Sequence, residues 1–247
     1  GFCDVQYVLP KEEAEQVENI IDEDILELFL DNDGTPYATI KINGHLENWT
    51  ITSRAFKNFI TRKKYETSKE APSNNLIQTL QNIFSAKAMF EGKKHDMYLR
   101  TAFRDGIIYI DIGDEEWNII KITKDKIEII QEQEVKFKRF RHMQELVFDL
   151  DVNVKDIELI FNHIPIIEES DKTLFKSYLP ILLIEGIPTA ILNVYGPQGS
   201  GKSVSLKIIR SLVDPSSLRV LSLARDLKEL VQQVSHHYLP FYDNVTE

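Results

Sequence analysis

In the first part of the chain, apolar residues alternate with polar ones in some segments and recur every three to four residues in others. The first spacing predicts short strands and the second predicts amphipathic helices. Strand-like alternation at 37–42 is followed by Asn43-Gly44, which predicts a two-residue hairpin turn into a second strand. Ser53 is placed to cap a helix after this strand, and Ser73 or Asn74 to cap another, because their side chains can accept hydrogen bonds from free backbone amides. This part of the chain therefore predicts a small sheet accompanied by helices.

From Met97 to about Lys138 the apolar residues alternate with polar ones, and Gly106 and Gly113 mark turns. This pattern predicts about four or five short antiparallel strands. Residues 1–140 as a whole predict an α+β domain, in which helices accompany a small and mostly antiparallel sheet. We assign it as an accessory domain and a candidate for DNA binding.

Acidic residues are concentrated at the N-terminus. Residues 1–34 hold eleven acidic residues against Lys11 alone, whereas the rest of the chain is balanced at 28 acidic and 28 basic residues. The net charge of -10 therefore does not exclude nucleic-acid contact elsewhere. We favour a solvated helix over an acidic interaction tail, with an apolar side formed by Val17, Ile20, Ile21, Ile25, Leu28 and Phe29.

The C-terminal part has a different pattern. Helical spacing at about 154–169 and 171–186 makes residues 141–185 a predicted helical connector. Beyond it, the chain alternates between predicted strands and helices, in the order 191–195, 204–213, 220–222, 227–234 and 238–242. Such alternation is typical of a parallel sheet covered by helices. Residues 186–247 therefore predict an α/β core.

A glycine-rich motif lies between the first strand and the first helix of this predicted core. It matches G-x-x-x-x-G-K-[ST] and consists of Gly196, Pro197, Gln198, Gly199, Ser200, Gly201, Lys202 and Ser203. Glycines let backbone amides converge on one point, toward which the next helix directs the positive end of its dipole. Lys202 would reach the β- and γ-phosphates, and the Ser203 hydroxyl would ligate Mg²⁺. The motif predicts a P-loop that binds ATP and Mg²⁺, with an incidental glycine turn as the alternative.

A second carboxylate is expected to support the Mg²⁺ at the end of a neighbouring strand. Asp243 follows an apolar run at such a position, so we assign it, with Lys202, to the catalytic residues, and with Ser203 to the metal site. An ordinary turn aspartate is the alternative. The next residue is Asn244, where motor ATPases commonly carry a glutamate that polarises the attacking water. Hydrolysis therefore has less support in the sequence than binding.

Basic and aromatic residues are interleaved over 136–142. Cationic side chains there can neutralise phosphates while the rings stack on bases, which makes Lys136, Lys138, Arg139 and Arg141 candidates for nucleic-acid contact. A half-buried edge strand with a charged outer face explains the same pattern equally well. We interpret the acidic residues around Gly113, and the pair His236-His237, as turn and helix-end residues and not as metal ligands.

The composition is that of a globular protein long enough for one large or two ordinary domains. The single cysteine, Cys3, excludes a disulfide framework and a cysteine zinc site. No signal pattern is present at the N-terminus, and Glu185 interrupts the longest apolar region, around 178–195. We therefore expect a cytoplasmic protein with no membrane partner.

The C-terminal motifs resemble a known family. The segments YGPQGSGKS, VDPSS, LARDLKELVQQVSHH and YDNV are similar to the P-loop ATPase region of primase–helicase-type proteins from phages, plasmids and integrated elements. These proteins are related to superfamily 3 helicases and, more broadly, to AAA+ ATPases. The resemblance covers about residues 160–247 and extends more loosely upstream, through DGTPYATIKINGH, SRAF and YIDIGDEEW.

The resemblance implies an ATP-driven homo-oligomeric ring that acts on single-stranded or forked DNA, with Gly196–Ser203 as the phosphate loop and Asp243 as the Mg²⁺-supporting aspartate. We expect a helicase-type module of a mobile-element replication protein. A nucleotide-gated regulatory module with little turnover is the alternative, and a small-molecule P-loop kinase is disfavoured by the large preceding domain. The chain ends four residues after Asp243, before any polar sensor or arginine finger, so we expect a truncated core that hydrolyses ATP poorly alone.

Overall fold

The structure is a computed structural model that describes residues 10–151 and 153–242. Helices and several sheets are combined in it, so the protein is mixed α/β. The chain forms two compact units. One contains the residues up to Met97 together with Glu132–Lys138, and the other contains Tyr98–Gln131 together with the residues from Arg139 onward. The grouping differs from the three consecutive segments 1–140, 141–185 and 186–247 expected from the sequence.

The first unit has three helices and a four-stranded sheet. Its elements are α1 (Pro10–Asp22), β1 (Ile25–Leu30), β2 (Pro36–Ile42), β3 (His45–Thr50), α2 (Arg54–Ser68), α3 (Asn74–Glu91) and β4 (Lys93–Lys94). The strand order is β3-β2-β1-β4, with β2 antiparallel to both neighbours and β4 parallel to β1. The predicted hairpin at Asn43-Gly44 is confirmed, since Ile42 pairs with His45 across it.

Apolar faces of the three helices form the core of this unit with the sheet. Val17, Phe56 and Phe84 come from different helices and pack with Ile40 of β2. Both predicted caps are confirmed, because Ser53 accepts from the Phe56 amide at 3.2 Å and Ser73, rather than Asn74, accepts from the Leu76 amide at 3.1 Å. Cap and apolar face together fix the start and the orientation of α2 and α3.

The acidic segment is not one helix. Its first part is helical and buries Val17 and Ile21 as predicted, but α1 ends at Asp22 and Ile25–Leu30 forms β1. Strand β1 pairs with β2 along its length and with β4 at Phe29 and Leu30, which makes it an inner strand. The prediction of a helical face as far as Phe29 is therefore wrong, because pairing on both sides outweighs a periodicity that short apolar runs share with strands.

The second unit contains an antiparallel sheet in the order β6-β7-β8-β9, as the alternation predicted. After β5 (Met97–Tyr98), the chain forms β6 (Thr101–Arg104), β7 (Ile107–Asp111), β8 (Ile119–Ile122), β9 (Ile127–Ile130) and β10 (Lys136–Phe137, in the first unit). A 3₁₀ helix (Val154–Asn162) and the helices α4 (Glu169–Ile181), α5 (Lys202–Val213) and α6 (Leu227–His236) follow.

The three strands expected at 191–195, 220–222 and 238–242 are not formed in the part of the chain that the structure describes. Their pairing is reduced to an isolated parallel bridge between Leu221 and Tyr242, with the Leu221 amide donating to the Phe241 carbonyl at 2.7 Å. Ile191 and Tyr195 are 95% and 88% exposed, so the apolar run before the glycine motif is not a buried strand. A strand is stable only beside hydrogen-bonded neighbours, and the described residues supply none for 191–195.

Candidate nucleotide-binding site

The glycine-rich motif forms a turn that leads directly into α5. Gly199 and Gly201 have φ angles of 81° and 83°, a left-handed conformation that other residues adopt only with strain. Gly201 is the N-cap of α5, which begins at Lys202, as the motif predicted. The backbone amides of the first helical turn and the positive end of the helix dipole therefore face the loop, in the arrangement that favours a bound phosphate.

The Lys202 side chain crosses back over this loop. Its ammonium donates hydrogen bonds to the carbonyl oxygens of Gly196 and Pro197, both at 2.8 Å. Lys202 itself follows Gly201 at the end of the loop. Its side chain folds back, so the ammonium lies at the start of the loop. A positive charge and several amides are thus gathered within one exposed turn, which suits an anion that is multiply charged.

Helix α5 is anchored by its apolar side. Leu206, Ile209 and Val213 are buried in one cluster with Phe175 of α4 and with Phe241. At the N-terminal end, the Ser205 amide and hydroxyl both bond to the Gly201 carbonyl, at 2.9 and 3.1 Å. The N-terminus of the helix, and with it the loop, is therefore supported by a packed core rather than by loop contacts alone.

The metal-binding half of the predicted site is described only in part. Ser203 lies half-buried in the first turn of α5. Asp243 lies outside the described residues, which stop at Tyr242. Within 10–151 and 153–242, no three His, Cys, Asp or Glu residues are grouped so that they could hold a metal ion.

Lys136, a predicted nucleic-acid contact, lies inside the first unit. It is 9% exposed, and its ammonium bonds to the Glu27 carboxylate and the Thr39 hydroxyl, both at 2.8 Å. The same ammonium lies 4.5 Å from the centre of the Phe29 ring. Lys136 and the carboxylate of Glu27 form an ion pair, and hydrogen bonds from Lys136 and His95 hold the pKa of Glu27 below its usual value despite partial burial. Such a lysine is not a surface cation for phosphates.

The Arg139 side chain is also bonded to residues of its own unit. Its guanidinium makes a two-pronged contact with the buried Asp111 carboxylate, donates to the Asp114 carbonyl, and lies 4.0 Å over the Trp117 ring. Asp111 and Asp114 are thus partners of the turn and of Arg139, in agreement with their interpretation as structural residues. Lys138 is half-buried and Arg141 exposed, so of the four predicted basic residues these two stay candidates for nucleic-acid contact.

A buried cluster at the far end of α5 was not predicted. Arg100, Arg210 and Asp214 are each at most 1% exposed, and the Asp214 carboxylate lies 3.3 Å from Arg100 Nε and 3.6 Å from Arg210 Nη2. His237, which follows α6 as its C-cap, accepts from Arg210 Nη2 at 2.7 Å. No spacing in the sequence indicates this cluster, because its members come from the residue before β6, from the C-terminal end of α5 and from the chain after α6.

The pKa values of His237 and of the neighbouring His142 are both lowered, mainly by burial. Burial, reinforced by the nearby His142 and Arg210, lowers the pKa of His237 to about 4. Burial also lowers the pKa of His142, although a bond to the His236 carbonyl opposes the shift. The two imidazoles stack with ring centres 4.0 Å apart. Since Arg210 can only donate, His237 Nδ1 must be the unprotonated acceptor.

Comparisons with known proteins leave the family open. Neither the protein-family models nor the curated proteins include a match to this chain. No helix among the described residues is long and apolar enough to cross a membrane.

Proposed function

We propose that this chain binds ATP and Mg²⁺ at Gly196–Ser203, as a helicase-type module of a mobile-element DNA replication protein. The observation that carries the proposal is the geometry of the loop. Two left-handed glycines lead into α5, and the Lys202 ammonium is bonded to carbonyls at the start of the same turn. That combination of amides, dipole and cation is what phosphate recognition requires.

Each residue of the site has a distinct role in this proposal. The loop amides bind the phosphate oxygens, and Lys202 exchanges its contacts with loop carbonyls for contacts with the β- and γ-phosphates. Ser203 and Asp243 hold Mg²⁺, which neutralises charge on the phosphates when it is bound. Because Asn244 follows Asp243, activation of water is the weakest part of the site, and hydrolysis is slower than in motors with a glutamate there.

The finer architecture belongs to the same proposal. An α+β accessory domain, which contacts DNA or organises a ring of identical subunits, precedes an α/β P-loop core. Support for the ring and for DNA comes from the resemblance of the C-terminal motifs to helicase-type ATPases. Of the four basic residues predicted for nucleic-acid contact, Lys138 and Arg141 are the two that this proposal retains.

Removal of the P-loop lysine tests nucleotide binding. We expect Lys202→Ala to weaken the affinity for a fluorescent ATP analogue by at least about tenfold, because it removes the cation nearest the phosphates. Lys207→Ala is the matched control, since Lys207 is exposed on the same helix and its removal changes the net charge equally. Equal affinities of the two variants, measured by fluorescence titration, would contradict a phosphate site at the loop.

The alternative is a nucleotide-gated regulatory module, which Asn244 favours. If the chain belongs to a DNA motor, single-stranded DNA raises its ATP hydrolysis rate by at least about threefold, because DNA binding orders the site for attack by water. Phosphate release with and without an unstructured oligonucleotide measures this. A rate that ignores DNA, while Lys202-dependent binding persists, would favour the regulatory module.

A further inference from the structure

Helix α2 and its C-cap hold a concentration of basic residues. Residues 54–69 contain six basic residues and one acidic residue, whereas the whole chain has 29 basic and 39 acidic residues. Two of the six lie within the fold, since Lys63 pairs with Asp24 and Lys64 is buried. The other four are exposed, and they are Arg54, Lys57, Arg62 and Lys69.

The exposed cations lie on the side of α2 that faces away from the core. The core-facing side is buried and is formed by Phe56, Phe59 and Ile60. Spacings of four and seven residues place Asn58 and Tyr65 in line with Arg54 on the opposite side of the helix, and all three are exposed. Lys57 and Arg62 flank this line on its two sides. One continuous surface therefore carries the positive charge.

The charges of α2 are arranged against its dipole. In this helix, all of whose residues the structure describes, no acidic residue lies in the first turn and no basic residue lies in the last turn. Arg54 is instead the first residue of the helix and Lys57 follows one turn later, near the positive end of the dipole, which disfavours cations. Helix stability therefore does not explain these two cations, whereas contact with an anionic partner does.

Two of the exposed cations have partners within the protein, and both contacts are at the surface. Arg62 pairs with Glu66 at 2.7 Å, one turn further along α2, with 64% and 47% of the two side chains exposed. Lys57 donates to Asn74 Oδ1 at 3.3 Å, also at an exposed position. Exposed contacts of this kind contribute little to stability. Both cations can therefore exchange them for contacts with phosphate.

An exposed aromatic ring lies among these cations. Tyr65 is 55% exposed, and the Lys69 ammonium lies 5.6 Å from the centre of its ring. A ring beside cations suits a single nucleic-acid strand, because unpaired bases stack on the ring while the cations meet phosphates. The bases of a duplex stack on one another, and a lipid surface has no bases. The ring therefore favours a single strand as the partner.

We propose that the outward surface of α2, formed by Arg54, Lys57, Arg62, Tyr65 and Lys69, binds single-stranded DNA. At a rise of about 1.5 Å per residue, its cations extend over about 22 Å and can follow consecutive phosphates of one strand. This inference rests on the proposed function and deepens it, since it assigns the DNA contact to named residues of the first unit. It does not involve the glycine-rich loop.

Neutralisation of three cations tests the phosphate contacts. We expect Arg54→Gln/Lys57→Gln/Arg62→Gln to bind a labelled oligothymidylate of about 20 nucleotides at least about tenfold more weakly than the wild-type protein, measured by fluorescence anisotropy at low salt. The slope of log affinity against log salt concentration should become shallower by about 2, since each phosphate contact on a single strand contributes about 0.7.

The matched control removes three exposed cations from strands β2 and β4 of the same unit, in the variant Lys41→Gln/Lys93→Gln/Lys94→Gln. Its affinity should change by less than about threefold. Equal losses in the two triple variants would overturn the proposal, because they would report net charge alone. So would a wild-type protein that binds phosphatidylserine vesicles but not the oligonucleotide. The nucleotide site fails separately, when binding of the ATP analogue does not depend on Lys202.

Substitutions of Tyr65 separate stacking from charge. We expect Tyr65→Ala to weaken binding of the oligothymidylate at least about fivefold with an unchanged salt slope, whereas Tyr65→Phe keeps the ring and should agree with the wild-type protein within about twofold. A duplex of the same length should bind the wild-type protein and Tyr65→Ala equally. Equal affinities of Tyr65→Ala and Tyr65→Phe for the single strand would overturn the assignment of a single-stranded partner.

Thermal unfolding gives a readout that needs no DNA. Because Arg54 and Lys57 oppose the dipole of α2, we expect Arg54→Gln/Lys57→Gln to unfold at or above the temperature of the wild-type protein while it binds the single strand more weakly. A lower unfolding temperature would show that these cations stabilise the fold, and it would overturn the proposal.

Discussion

Replacing Arg100 with methionine should lower the free energy of unfolding by about 3–5 kcal/mol, the range found when one partner of a buried ion pair is removed. Arg100 is fully buried, and its guanidinium is hydrogen-bonded throughout. It donates to the Asp214 carboxylate and to four backbone carbonyls, those of Asp111, Ile112, Gln144 and Pro215, at 3.0–3.3 Å. Methionine would leave those acceptors unpaired and the Asp214 charge without its closest arginine.

Urea denaturation measures this effect, and Arg104→Met is its matched control. Arg104 ends β6, and its ion pair with Asp105 is long at 3.6 Å and largely exposed, so its loss should stay within about 0.5 kcal/mol. Adding Asp214→Asn to Arg100→Met should restore part of the lost stability, because the uncompensated buried charge is removed. A loss below about 1 kcal/mol for Arg100→Met would show that the cluster is not structurally important.

The hairpin and the helix caps of the first unit, and the start of α5, could be predicted because their signals are local. A serine cap is three residues from the amide it accepts from, and the Asn43-Gly44 turn joins strands that are adjacent in the chain. The start of α5 at Lys202 follows from glycines immediately before it. In each case the interacting groups are neighbours in sequence, so a single segment contains the information.

The roles of the basic residues could not be predicted in this way. Lys136 pairs with Glu27 and Thr39, far upstream, and Arg139 pairs with Asp111. A segment of alternating cations and aromatics has the same appearance whether its charges meet phosphates or distant carboxylates. Which partner they meet is decided by the fold, and here two of the four basic residues pair with carboxylates of their own unit.

The missing C-terminal strands have a related cause. Apolar runs at 191–195, 220–222 and 238–242 satisfy the local requirements of strands, but a ladder forms only when two runs are brought side by side. In the described residues that happens at one point, between Leu221 and Tyr242. The glycine motif keeps its turn without that sheet, because its support comes from the apolar side of α5.

Lowering the pH from 6.5 to 4 should reduce the stability of the protein through His237. Its pKa falls from 6.5 to about 4 in the folded state, so between these values the unfolded chain binds more protons than the folded one. Stability is therefore fully present above pH 6.5 and is lost progressively as the pH falls toward 4. The loss is on the order of 2–3 kcal/mol, and His142 adds to it in the same direction.

The charged groups around His237 determine the direction in which its pKa shifts. Arg210, His142 and His236 disfavour a second cation, and only Asp214 opposes them. His237→Asn removes the titration, so its unfolding free energy should depend less steeply on pH than that of the wild-type protein between 6.5 and 4. Carboxylates such as Glu27 titrate in both proteins and cancel from the comparison. Identical slopes for His237→Asn and the wild-type protein, in urea titrations at several pH values, would show that His237 is not held neutral by this cluster.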